Sequence, residues 1–112
     1  MTIATVNIAA RTNEPFYAAF MINDDGTPMD LTGKDLRMHV RTSAGSSVKV
    51  LVLTTDNGRL VIDPEEGANL AISLPLEVIA TVPAGTYVHD LKEWGGRVIW
   101  SGTFTFVQGV TR

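Results

Sequence analysis

Oxygen-bearing side chains gather at one place in this chain, where Asn23, Asp24, Asp25 and Asp30 surround an Asp25-Gly26 dipeptide. Calcium takes about six to eight oxygen ligands, and Asp-rich loops with a glycine can supply them. No glutamate stands where an EF-hand loop would place its bidentate ligand, and Asp-Gly is also a common turn dipeptide. A plain turn is therefore the first reading, and a metal at Asp24, Asp25 and Asp30 the second. His39 and His89 bring too few nitrogens for zinc unless carboxylates arrive from elsewhere. His39 alternates with Arg37 and Arg41, which describes either a solvated stripe or a cationic strip that docks a partner's carboxylate or phosphate. His89, beside Asp90, reads as a core or edge histidine bonded to backbone rather than as a base. A serine nucleophile would need a sharp Gly-x-Ser-x-Gly elbow, which the sequence lacks. Glu65 and Glu66 are adjacent, so a strand would point them apart. No catalytic residue and no cofactor site are expected. Of the tryptophans, Trp100 shares a face with Val98 and Phe104 and belongs to the core. Trp94 sits at a hairpin tip, where an exposed ring suits a protein contact or, less well, a sugar.

The elements that would carry these residues are strands. From Pro83 to Val107 the sequence reads as two long strands joined at Gly95-Gly96, both placed for positive φ. Val98, Trp100, Phe104 and Phe106 alternate with Ser101, Thr103 and Thr105, the period a half-buried strand requires. Tyr87, His89 and Leu91 share the inner face of the preceding strand, which Gly85 opens. Tyr87 is placed to pack its ring in the core and give its hydroxyl to a nearby backbone group, as in the tyrosine corner of immunoglobulin-like sandwiches.

Upstream, Phe16, Ala18, Phe20 and Ile22 line one face of a strand, and Leu36, Met38 and Val40 point inward opposite Arg37, His39 and Arg41. Val48 to Leu53 is almost continuously apolar, as in a strand covered on both faces or contacted by a partner. Leu60 to Ile62 forms a short strand that ends at the turn-forming run from Asp63 to Gly67, and Leu70, Ile72 and Leu74 form another. Near residues 75–80 the spacing predicts a short helical turn capped by Ser73, with Pro75 at its start. The expectation is an all-β, immunoglobulin-like antiparallel sandwich of 7–8 strands in a single domain, 1–112, with residues 1–14 as an N-terminal arm. Within it, Thr2 to Ala10 reads as a weak strand or an extended segment that pairs late or with another subunit.

Composition narrows the partners. Net charge is −3 and the nine Lys and Arg residues form no basic run, so nucleic acid is not expected. There is no cysteine, hence no disulfide. No apolar run approaches the roughly 20 residues of a membrane helix, and the N-terminus lacks a signal peptide's charged start and apolar core. Synthesis in the cytoplasm is expected.

An ordered set of short motifs goes further. Phe20 precedes Asp25-Gly26-Thr27-Pro28 and Asp30-Leu31-Thr32-Gly33. Gly85-Thr86-Tyr87-Val88-His89-Asp90-Leu91, Ser101-Gly102-Thr103-Phe104 and Val110-Thr111-Arg112 follow in turn. This order resembles small structural proteins of tailed phages and prophages, above all the immunoglobulin-like N-terminal domain of upper baseplate proteins. Those proteins continue into further domains, whereas this sequence stops at Arg112. The resemblance implies a non-enzymatic tail, baseplate or neck component of the virion, made in the bacterial host's cytoplasm. It would act through contacts with other phage structural proteins and with copies of itself. In that reading Asp30-Leu31 and Asp90-Leu91 each bury a leucine while the aspartate ties down a turn, and Tyr87, Trp100, Asp90 and Gly85 are structural. Interface candidates are Trp94, Arg37, His39 and Arg41. The alternative is a small module for host-surface carbohydrate, assisted by calcium in the Asn23 to Asp30 loop.

Overall fold

The computed structural model describes residues 4–24, 26–43 and 45–108. Expectations on Thr2, Asp25, the Asp24 side chain and Val110-Thr111-Arg112 lie outside them. In chain order the described residues form β1 (Ala4–Thr5), β2 (Ile8–Arg11), β3 (Phe16–Phe20), β4 (Asn23–Asp24), β5 (Thr27–Pro28), β6 (Leu36–Arg41), β7 (Lys49–Thr54), β8 (Leu60–Glu65), β9 (Ala68–Leu74), α1 (Leu76–Ile79), β10 (Gly85–Glu93) and β11 (Val98–Val107). One sheet runs β1–β11–β10–β6–β7, with β2 continuing β1 beside β11; the other runs β3–β9–β8; β4 and β5 make a separate ribbon.

The two large sheets face each other as an all-β, immunoglobulin-like sandwich. Alternation decides which side chains meet between them. Leu36, Met38 and Val40 of β6 are fully buried, as are Leu70 and Ile72 of β9 and Phe104 of β11. Aromatic rings bridge the gap: Phe16 lies 5.9 Å from Phe104, and Phe20 meets Trp100 edge-on at 5.0 Å. Each large side chain taken out of water contributes about 1.5–3 kcal/mol. The Tyr87 ring packs edge-on against Phe106, and its hydroxyl donates to the Pro83 carbonyl at 2.6 Å. The expected corner is therefore present, with Gly85 at φ +155° just before it.

The structure corrects the sequence reading in several places. The sandwich is not purely antiparallel, because β1 and β2 run parallel to β11, in the register Ala4↔Trp100 and Ile8↔Phe104. Residues 4–11 are thus not an arm awaiting another subunit, since Ile8 and Ala10 already bury their side chains in this chain's core. The alternation of β11 slips at Ile99, where the pairing jumps from Leu91↔Trp100 to Lys92↔Val98. A bulge of this kind adds one residue and turns it inward, and Ile99 is 2% exposed. β7 buries only Leu51 and Leu53, leaving Val50 and Val52 half-buried, so it is covered on one face rather than two.

β8 runs on through Asp63 and Pro64 to Glu65, taking up the strain as a register shift with Asp63 at φ +51°. Ser73 does not cap α1; Pro75 occupies the N-cap with no side-chain bond, while the Ser73 N–H is held by the Arg59 carbonyl at 2.9 Å. Of the hairpin glycines only Gly95 has positive φ. Asp90 ties down no turn. It sits mid-strand, paired with His39 and Ser101.

The seating of the first strand depends on three side chains the sequence did not link. Between β1 and β2 the Val6 carbonyl turns over the sheet and accepts from His89 Nε2 at 2.8 Å. Asn7 Oδ1 accepts from both the Thr103 N–H and the Thr103 hydroxyl, each at 3.1 Å. Gly102 lies under the carbonyl, and a Cβ there would run into the Val6 oxygen. Only a glycine lets the backbones come this close.

Candidate protein interface

The outer face of the larger sheet collects most of the residues picked out for binding. In β6 the inward leucine, methionine and valine force Arg37, His39 and Arg41 outward. In the neighbouring β10, Val88, Asp90 and Lys92 face the same way, with Asp90 opposite His39 and Lys92 opposite Arg37. The β10–β11 turn then folds Trp94 back over this face, its N–H donating to the Asp35 carbonyl at 2.8 Å. The Arg37 guanidinium lies 4.0 Å from the centre of the Trp94 ring, Lys92 Nζ at 5.9 Å, and the His39 ring meets it edge-on at 6.5 Å. Trp94 remains 50% exposed. The four predicted interface residues thus share one surface, and Lys92 joins them, with Lys49 near enough to act on His39.

The electrostatics are those of a cationic patch around a neutral imidazole. Burial lowers the His39 pKa, and the charges of Lys49 and Arg41 push it the same way. Arg41 Nη2 lies 3.3 Å from His39 Nδ1, and a guanidinium can only donate, so Nδ1 accepts and Nε2 carries the proton. Among the described residues Arg41 Nε is buried without a partner. Arg37 pairs with Asp35 at 3.2 Å, both groups partly exposed, a geometry worth at most about 1 kcal/mol. A cavity of about 280 Å³ beside the patch is lined by His39, Arg41, Asp90 and Ser101 among others. It mixes donors with one carboxylate, which suits polar side chains of a partner.

The remaining candidates lie elsewhere. Trp100 is 2% exposed in the core. His89 is buried between Trp100 and Phe104, and burial lowers its pKa against the opposing effect of the Val6 carbonyl. Asp30 Oδ1 accepts the Thr32 N–H at 3.0 Å, the bond that chiefly lowers its pKa. This is an Asx turn. Among the described residues no cluster of His, Asp and Glu stands close enough to hold a metal ion.

Sequence reasoning missed Asn69. It is 5% exposed, and its amide donates to the carbonyls of Ile22 and Met29 and accepts the Ile22 N–H. It fastens the base of the β4–β5 ribbon to β9. An asparagine set among the buried apolar residues of β9 was the available signal. Also missed was the bond from the Tyr17 hydroxyl to Glu65 Oε1 at 2.8 Å across the smaller sheet.

No protein-family model matches the chain, and no curated protein does. Among solved structures, extracellular domains 3–5 of Drosophila OTK are similar at 13% identity and a TM-score of 0.35, the match taking in 97% of this chain and 35% of that one. The chain thus spans about a third of the length of that neighbour.

Proposed function

We propose that the protein is a non-enzymatic virion structural component of a tailed phage or prophage, in a tail, baseplate or neck, working through protein–protein contacts that include contacts between its own copies. The observation that carries the contact reading is Arg37 stacked on the half-exposed Trp94, in a patch with Arg41 and Lys92. Arginine and tryptophan are the side chains most enriched where interfaces concentrate their energy. A guanidinium held 4.0 Å over the ring centre is already partly ordered, so it loses less freedom on docking. The narrower virion reading is supported by the ordered motifs from Phe20 to Phe104. One of them supplies β5 and another the tyrosine corner. The same stacking disfavours the carbohydrate alternative, because Arg37 covers one face of the ring a sugar would need.

The test is solution mass by light scattering on the whole chain and on Trp94→Ala, with melting followed alongside. A defined oligomer, reduced in mass by Trp94→Ala at unchanged melting temperature, is expected. A monomer that gains stability from calcium or binds oligosaccharides through Trp94 would overturn the proposal. Deleting residues 1–13 is not a clean test, because it removes a strand of the sheet.

A further inference from the structure

We propose that copies associate head to tail, the cationic face of β6 and β10 on one copy seating against the outer face of the β3–β9–β8 sheet on the next. This rests on the reading of the protein as a self-associating structural component, and names the surfaces that meet. Charge is segregated between the two faces. Arg37, Arg41, Lys49 and Lys92 belong to the first, where Asp90 is set among them and Asp35 pairs with Arg37, so four cations meet two carboxylates. From residue 60 to residue 91 the sequence contains no lysine or arginine, and β3, β8 and β9 carry none.

Asp63, Glu65 and Glu66 lie exposed on β8 and its turn. The Tyr17 hydroxyl holds the Glu65 carboxylate from the other side of β9. Tyr17 is 56%, Met21 42% and Val61 36% exposed, which provides apolar area to accompany the charge. The longest extents, 43 and 33 Å, leave room for the roughly 800 Å² that each partner buries in a stable interface.

Pairing like faces would set cation against cation, at a cost of several kcal/mol. The outer faces of the two sheets look in opposite directions, so the contact that brings opposite charges together is heterologous. It repeats from copy to copy until a ring closes or a fibre runs on.

The test is a charge exchange read by sedimentation equilibrium, with thermal melting to check each fold. Arg37→Glu with Arg41→Glu should weaken self-association at least about tenfold, and Glu65→Lys with Glu66→Lys should do the same. All four substitutions in one chain should restore association to within about threefold of the original. If the unaltered chain associates and the variants associate equally well, these surfaces are overturned while the self-associating reading stands. Losses without rescue in the fourfold variant would also overturn the pairing. An unaltered chain that stays monomeric up to about 1 mM would overturn both the pairing and the reading beneath it.

Discussion

At Gly102 a hydrogen atom stands where any other residue would put a carbon into the Val6 carbonyl. Gly102→Ala must therefore push the first strand outward and take the acceptor away from His89 Nε2. The expected cost is about 1–3 kcal/mol, read as a lower urea midpoint, with faster amide exchange concentrated at residues 4–8. His89 itself makes stability depend on pH. Its folded pKa lies below the ordinary 6.5 because burial penalises the charge, so just below 6.5 the unfolded chain binds more protons than the folded one. Stability is then fully present above that value and is lost as pH falls toward the folded pKa. His39 is shifted in the same direction and adds to the slope. Urea midpoints measured between about pH 7 and pH 5 should fall. His89→Gln, which keeps a donor for Val6, should flatten the curve, and His39→Gln should flatten what is left. His89 was legible as a core histidine bonded to backbone, and it is one, but neither its partner at Val6 nor the role of Gly102 could be read beforehand. A glycine inside an alternating strand and a histidine beside an aspartate look alike whether they are used or idle, since only the chain packed over them decides.

Elements were more readable. Residues 36–41 sort into a buried and an exposed set because a strand offers only two faces, and the structure keeps that sorting. For the same reason Arg37, His39 and Arg41 could be grouped in advance, while the return of Trp94 over them could not, because it depends on a turn and on a backbone bond to Asp35. The bulge at Ile99 and the parallel pairing of residues 4–11 escaped as well. Periodicity says which side chains share a face and nothing about the neighbour's direction.

The outermost strand of the larger sheet, β7, shows how its edge is managed. Arg59 Nη1 and Asn57 Nδ2 both donate to the Val52 carbonyl, at 2.9 and 3.2 Å, and Asn57 Oδ1 takes the Thr54 N–H at 3.1 Å. These bonds occupy backbone groups that would otherwise template a foreign strand. Asn57→Ala with Arg59→Ala should leave melting nearly unchanged yet raise light scattering in concentrated solution at neutral pH. Unaltered scattering would mean the edge is protected by something else.

For the molecule as a whole, an excess of acids over bases coexists with a face where bases prevail. A protein of net charge −3 with uniform charge would repel its copies less as salt rises. One that joins opposite faces should come apart instead, because screening within about 10 Å at 0.1 M salt weakens the attraction. Average mass is therefore expected to fall between roughly 0.05 and 0.5 M sodium chloride. A mass that rises would point to apolar contacts through Tyr17, Met21 and Val61.

The parallel seating of the first strand has one more consequence. Ala4 lies beside Trp100 and Arg11 beside Val107, so the described ends of the chain leave from opposite poles. Tension applied to them would drag the two strands past each other, loading their backbone bonds together rather than peeling them one at a time. Rupture under force is governed by the unfolding rate, and a shared load raises the barrier that sets it. The His89, Asn7 and Gly102 seat thus acts as a mechanical clamp along the line between those ends.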